Sequence, residues 1–145
     1  MGAISKESTK AERFAREYSQ RQREAERLVD REVFGAVIGA NGYTTVDEAS
    51  RLLELLALEP GERLLDLGSG RGWPGMYLAN ESGCSVTLTD VPTAALRDTL
   101  SDAARPNGPG PGAGAAKCCA AAADGRALPF RPQTFDAVAH TDVLC

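Results

Sequence analysis

The chain has 145 residues, which is the length of one ordinary domain. Hydrophobic residues make up 43% of it and charged residues 25%, as in soluble globular proteins, and no apolar run approaches the length that spans a membrane. The net charge of −4 argues against a general nucleic-acid binder, and a single histidine with no Cys-x-x-Cys pair argues against a metal site.

The first 45 residues are predicted to form a helical extension ahead of the domain. Residues 6–32 mix lysine, arginine and glutamate, with i,i+4 pairs such as Glu12–Arg16 that support an exposed helix. This helix is either solvated and lightly docked, or a lid or an oligomer contact. Residues 33–44 are either a plain linker or a segment that folds over a ligand. The extension lacks the apolar core of a signal peptide, so we expect a cytoplasmic protein.

A second helix is predicted from a capping box. Thr45 serves as its N-cap and Glu48 as the reciprocal residue at the third helical position. The helix runs to about Leu58, where the pair Pro60-Gly61 stops it.

Residues 64–74 predict a nucleotide cradle. A buried strand at 64–67 is followed by alternating glycines, and Pro74 suits the first turn of a helix that ends at Gly83. Glycine allows a ligand close to the backbone, and a helix N-terminus offers free N–H groups. Asp66 adds a carboxylate that repels a phosphate and attracts an amine or a hydroxyl. A tight turn without a ligand is the alternative, and Gly70-x-Gly72-x-x-Gly75 also satisfies the dinucleotide pattern.

A second acidic residue ends the next predicted strand, Ser85–Asp90. Asp90 lies twenty residues after Gly70, where an acid accepts hydrogen bonds from ribose hydroxyls. A solvated strand end or a helix N-cap is the alternative. A helix is predicted over about 93–104, and the glycine- and proline-rich residues 105–114 are expected to form a mobile loop without a chemical role.

A third acidic residue, Asp124, follows residues 117–123. These residues have poor strand propensity, and they are predicted as a strand only because the motif around Asp124 needs a strand before it. Asp124 can accept a hydrogen bond from an exocyclic amine such as that of adenine. The adjacent Cys118 and Cys119 are expected on opposite faces of that strand, as reduced thiols that fill small spaces in the core. Residues 134–139 predict the fourth strand.

Together these segments resemble the class I S-adenosylmethionine-dependent methyltransferases. The resemblance rests on LLDLGSGRG at 64–72, Asp90 after VTLT, ADGRALPF at 123–130 and FDAV at 135–138. It implies an α/β fold: a Rossmann-like parallel sheet with flanking helices, incomplete at about four of the family's seven strands. The domain would span 46–145, with residues 1–45 as a helical extension or lid.

The resemblance also implies positions that bind S-adenosylmethionine, and these are Tyr43, Asp66, Gly68, Ser69, Gly70, Gly72, Asp90, Val91, Asp124, Gly125 and Thr141. Asp66 and Gly68 would surround the methionine amine and carboxylate, while the later glycines shape the loop. Asp90 would hold the ribose hydroxyls and Val91 would pack on the adenine face. Asp124 would meet the adenine edge together with the glycine that follows it.

Two residues after the fourth strand would lie near the methionine end of the cofactor. His140 and Thr141 follow the fourth strand, and His140, the only histidine, is the candidate general base. The alternative is that His140 lies near the cofactor only because it follows the end of the strand, and has no catalytic role. In some relatives an aromatic and hydroxyl cluster ahead of the core closes the site, and Tyr43 and Thr44 match that position.

The function implied is methyl transfer to a small-molecule acceptor, which the acidic composition favours over nucleic acid. One alternative is a cofactor-binding fragment without turnover unless a partner completes it. Another is an NAD(P)-binding oxidoreductase domain, which is disfavoured because its pyrophosphate would face Asp66. The fourth strand would expose the edge AVAHTDVL, so we expect either a truncated chain, or a homo-oligomer or partner that covers this edge.

Overall fold

The computed structural model of the protein describes residues 24–34, 43–104 and 117–141. The predicted loop at 105–114 and most of the predicted extension lie outside the described residues. In chain order the elements are α1 (Glu24–Phe34), α2 (Val46–Leu56), β1 (Arg63–Leu67), α3 (Gly75–Ser82), β2 (Ser85–Asp90), α4 (Thr93–Ala103), β3 (Cys118–Ala122) and β4 (Ala137–Ala139). No helix within these ranges is long and apolar enough to cross a membrane.

The four strands form one parallel sheet in the order β3-β2-β1-β4. This confirms the predicted α/β, Rossmann-like sheet with flanking helices. Successive strands run outward from β1 to β3, and the chain then returns to place β4 on the other side of β1. In such sheets ligands bind beyond the carboxyl ends of the strands, beside the strand where the order reverses. The carboxyl end of β1 is therefore the expected position of a ligand-binding site.

The hydrophobic core lies between one face of the sheet and the helices. The residues that form it are Leu64, Val86, Leu88 and Ala139 from the sheet, Met76, Leu78 and Ala79 from α3, Cys84 between α3 and β2, and Leu96 from α4. On the opposite face, register aligns Leu65 with Cys119 through β2 and with Val138 directly. Cys119 is exposed and the Val138 side chain is 53% exposed, so this face is only partly covered.

The helix boundaries follow local chemistry. The capping box predicted at α2 is present, with the Thr45 N–H donating to Glu48 Oε2 at 2.7 Å and the Glu48 N–H donating to Thr45 Oγ1 at 3.2 Å. The helix ends at Leu56, earlier than predicted, because Ala57 adopts a left-handed conformation and its N–H bonds to the Leu53 carbonyl. At the end of α3, Gly83 takes the predicted left-handed cap.

Strand β3 forms from the weak sequence CCAAA because β2 pairs with it in register from Val86↔Cys118 onward. The two cysteines lie on opposite faces as predicted, and the Cys118 Sγ is 3.4 Å from the Met76 Sδ. Cys119 is exposed, so the expectation that it fills the core is wrong. Burial raises the pKa of the Cys118 thiol to about 11, so it stays protonated.

Strand β4 is shorter than the predicted strand 134–139, and residues 134–136 are not part of it. The Thr134 hydroxyl donates to the Arg131 carbonyl at 2.7 Å and closes a turn, and the rings of Phe130 and Phe135 meet edge to face at 4.9 Å. The Asp136 N–H still donates to the Arg63 carbonyl at 2.9 Å, but the register with β1 begins at Ala137. Of the predicted apolar edge, the last residues lie outside the described ranges.

Candidate cofactor site

The turn after β1 is held against the end of β2. The N–H groups of Gly68 and Ser69 both donate to the Thr89 carbonyl, at 2.8 and 3.0 Å. Gly68, Gly70 and Gly72 all have positive φ, as a chain that reverses over a sheet edge in so few residues requires. We call residues 68–74 the glycine loop.

Two glycines of this region are needed for packing. At Gly72, with φ of 93°, a Cβ would lie 2.7 Å from the Met76 Cγ and 2.9 Å from the Thr99 Cγ2. At Gly75, a Cβ would overlap the Asp66 carboxylate, with its Cγ at 2.7 Å. Gly75 therefore lets α3 begin directly against Asp66, a role that the sequence pattern did not reveal.

Asp66 is a buried carboxylate beneath the glycine loop. Its side chain is 1% exposed and accepts a backbone hydrogen bond from Gly75. Burial, together with a smaller effect of the nearby charge of Asp90, raises the pKa of the Asp66 carboxyl to about 7. Among the described residues, the Asp66 Oδ2 and the Ser69 Oγ are buried without a hydrogen-bond partner. Buried polar atoms of this kind are costly unless a ligand or water satisfies them.

Asp90 joins the end of β2 to the glycine loop. Its Oδ2 accepts from the Gly70 N–H at 2.7 Å, and its Oδ1 accepts from the Val91 N–H at 2.7 Å. Each oxygen keeps a second lone pair for a ligand hydroxyl. The alternative that Asp90 caps the next helix is wrong, because the N-cap of α4 is Pro92, which makes no side-chain capping bond.

The carboxylate that follows β3, that of Asp124, lies in different surroundings from those of Asp66 and Asp90. Asp124 is exposed and paired with Arg126, whose Nη2 donates to the Asp124 Oδ2 at 2.7 Å. Hydrogen bonds from Arg126 lower the pKa of the Asp124 carboxyl to about 2. A Cβ on Gly125 would lie 3.5 Å from the Leu67 Cδ1, so this turn rests on the end of β1. The Arg126 partner was not predicted, although it lies only two residues away.

Val91 and the residues after β4 complete this edge of the sheet. The Val91 side chain is 56% exposed. Asp66 pairs in register with Ala139, so His140 and Thr141 continue β4 just past the level of the buried carboxylate. His140 is exposed and Thr141 is half-buried.

The segment ahead of α2 also contacts the glycine loop. The Trp73 indole N–H donates to the Thr44 carbonyl at 2.9 Å, while the Tyr43 side chain is 89% exposed. Sequence reasoning did not single out Trp73. The signal for it was a tryptophan directly after the last glycine of the loop.

The profile of a methyltransferase domain family matches residues 65–145. The match covers more than half of the chain and includes the glycine loop and the acidic ends of β2 and β3. The chain therefore belongs to this family of methyltransferase domains, which confirms the predicted resemblance. A comparison with curated proteins found no match.

Solved structures share the fold. An S-adenosylmethionine-dependent methyltransferase from Thiobacillus denitrificans, in complex with S-adenosylhomocysteine, matches at TM-score 0.51 and 24% identity over 79% of this chain and 43% of its own. Phosphoethanolamine N-methyltransferase 1 of Haemonchus contortus matches at 0.54 and 16% identity, over 91% of this chain and 24% of its own. The (4+2)-cyclase SpnF matches at a TM-score of 0.50 and 26% identity, over 68% of this chain and 36% of its own. This chain thus spans less than half of each of these proteins.

Proposed function

We propose that this chain forms the S-adenosylmethionine-binding part of a methyltransferase that acts on a small-molecule acceptor. The observation that carries the proposal is that, among the described residues, the Asp66 Oδ2 and the Ser69 Oγ at the glycine loop are buried without a hydrogen-bond partner. An amino-acid head group satisfies both, because its ammonium donates to a carboxylate and its carboxylate accepts from a hydroxyl. A pyrophosphate would instead meet the charge of Asp66.

The other cofactor positions follow from the strand ends. Asp90 is already oriented by the Gly70 N–H and keeps lone pairs for the two ribose hydroxyls. Val91 offers an exposed apolar side chain to the adenine face. Asp124 and Gly125 are the residues for the adenine edge, where the Asp124 carboxylate would share its lone pairs between Arg126 and the adenine amine.

In the reaction, the bound cofactor supplies a methyl group on a sulfonium, which is electrophilic. The task of this chain is to hold that group in line with the acceptor and away from water. We propose that Thr141 and Tyr43 border the methionine end. His140 is the candidate base for an acceptor that must lose a proton, with a purely positional role as the alternative.

Cofactor binding and turnover are separate questions for this chain. The chain spans less than half of its structural neighbours, and SpnF carries the same fold under the name of a cyclase, so a shared fold does not by itself specify the reaction. The second candidate function is therefore a cofactor-binding unit that needs a partner, or a second copy, for turnover. The position of β4 at the end of the described sheet favours it, because the outer backbone groups of an edge strand are open to pairing with another chain.

We further propose that residues 1–45 form an extension to the domain at 46–145, and that the protein works in the cytoplasm. The described cysteines are free thiols, in keeping with a reducing compartment.

The test is calorimetric titration of the 145-residue chain with S-adenosylhomocysteine, beside NADH. We expect micromolar binding of the first alone. Asp66→Asn should weaken it at pH 8 by about tenfold, whereas the matched control Asp98→Asn, an exposed carboxylate on α4, should not. Binding of NADH that Asp66→Asn strengthens would instead support the oxidoreductase alternative, and a folded chain that binds neither ligand would refute the proposal.

Turnover is tested separately, by transfer of a labelled methyl group to mixed small-molecule acceptors. Loss of kcat in His140→Ala without loss of cofactor affinity would support a base at that position. Binding without any transfer would favour the second candidate function.

A further inference from the structure

Trp73 is the only tryptophan of the chain, and it stands within the glycine loop, directly after Gly72. Its side chain is only 8% exposed. A large aromatic ring thus occupies the junction between the loop and the start of α3.

The Trp73 side chain connects the loop with two other elements. Its indole Nε1 donates to the backbone carbonyl of Thr44 at 2.9 Å. Its ring lies 5.5 Å, between centroids, from that of Tyr77 on α3. The Tyr77 hydroxyl in turn lies 3.0 Å from the Ser50 Oγ on α2.

The bond to Thr44 matters because of what lies beside it. Thr45 begins α2 through the capping box with Glu48, so residues 43–45 are held by the helix on one side and by Trp73 on the other. Tyr43, at the far end of this segment, presents a side chain that is 89% exposed. Any shift of the glycine loop is therefore transmitted through this hydrogen bond to Thr44, which is next to Tyr43.

We propose that Trp73 is a positioning residue that links the glycine loop to the segment Tyr43–Thr45, so that a ligand on the loop restrains the segment and the segment slows release of the ligand. The inference rests on the proposed function, because it takes S-adenosylhomocysteine as that ligand. The coupling is reciprocal, because the ligand stabilises the ordered segment by the same free energy by which the ordered segment stabilises the bound ligand.

The experiment compares Trp73→Phe with Tyr77→Phe in the full chain. Trp73→Phe keeps an aromatic ring and removes the N–H donor, whereas Tyr77→Phe removes only the hydroxyl contact between α2 and α3. Stopped-flow displacement measures the release rate of S-adenosylhomocysteine, and hydrogen exchange measures the amides of residues 43–45 with and without it. We expect Trp73→Phe to raise the release rate about fivefold, the scale of one neutral hydrogen bond, and Tyr77→Phe to leave it within twofold.

The ligand should slow exchange at residues 43–45 in the wild type, and this protection should be lost in Trp73→Phe. The emission of the single tryptophan should change on binding in the wild type and in Tyr77→Phe alike. If Trp73→Phe does not fold, replacing Trp73 by 3-benzothienylalanine keeps the ring size and removes only the N–H.

The outcomes separate the two claims. Two results would overturn the inference and leave the proposed function standing. One is that the wild type binds S-adenosylhomocysteine without protection at residues 43–45. The other is that the wild type and the donor-free variant release it at equal rates. A folded wild type that does not bind S-adenosylhomocysteine would overturn both.

Discussion

The buried carboxylate of Asp66 makes the stability of the ligand-free protein depend on pH. Its pKa rises from 3.8 to about 7 in the folded chain, chiefly because burial disfavours the charged form. Between these values the folded state holds a proton that the unfolded state has released, so the free energy of unfolding falls as pH rises. Each pH unit costs up to about 1.4 kcal/mol, and the whole window is worth on the order of 4 kcal/mol.

Asp66→Asn removes this titration and keeps the shape of the side chain. An amide oxygen can still accept the backbone hydrogen bond from Gly75, and no charge has to be buried. We therefore expect the variant and the wild type to be similarly stable near pH 4. Near pH 8 the variant should be more stable, by on the order of 4 kcal/mol.

The assay is urea unfolding, followed by circular dichroism, at intervals from pH 4 to pH 8. The difference between the two proteins isolates Asp66, because all other groups titrate in both, and the exposed Asp98→Asn should retain the wild-type slope. Parallel stability curves for the wild type and Asp66→Asn would refute the reasoning, because they would mean that Asp66 is charged at no cost or is not buried.

The same group should set the pH dependence of cofactor binding. An ammonium beside Asp66 favours the ionised carboxylate, so binding must release the proton that burial retains. We expect the affinity for S-adenosylhomocysteine to rise between about pH 5 and pH 7 in the wild type and to stay flat in Asp66→Asn. Calorimetry in two buffers of different ionisation enthalpy counts the released proton, and equal heats would contradict this account.

Three further predictions concern other parts of the domain. Asp90→Ala should weaken the binding of S-adenosylhomocysteine by roughly 1.5–3 kcal/mol, the scale of charge-assisted hydrogen bonds, and an unchanged dissociation constant by calorimetry would remove this residue from the site. Gly72→Ala should lower the free energy of unfolding by about 2–4 kcal/mol, since its Cβ would sit 2.7 Å from the Met76 Cγ at a φ of 93°; an unaltered urea midpoint would contradict the packing described. Thr45→Ala should cost about 1 kcal/mol in the same assay, and less in a chain that already carries Glu48→Ala, because the two side chains act together; fully additive losses would argue against the capping box.

Much of the fold could be predicted because its signals are local. The capping box of α2, the glycine cap of α3 and the strand-turn-helix unit around the glycine loop each depend on residues a few positions apart. Three strands with an acid in or just after each, together with the glycine motif at 64–72 and FDAV at 135–138, were then enough to indicate the parallel sheet and the family. Strand β3 was the exception. Its CCAAA sequence has little strand propensity, and it forms because β2 offers a complete row of backbone partners.

The state of each candidate residue was much less accessible. The sequence has an aspartate at positions 66, 90 and 124 alike, yet their surroundings differ. Asp66 is buried with one oxygen that has no partner among the described residues, Asp90 is bonded to the loop, and Asp124 is exposed beside Arg126. Burial and the nearest donor set the pKa of a carboxyl, and both depend on which segments pack around it.

The sequence by itself determined the class of fold, the glycine loop and the positions of the acidic strand ends, because these are read from spacing along the chain. Only the tertiary structure decided that Asp66 lies against Gly75, that β4 shrinks to three residues, and that Trp73 reaches Thr44, 29 positions earlier. The physical reason is that such contacts join segments distant along the chain, and their distances arise only when the helices pack on the sheet.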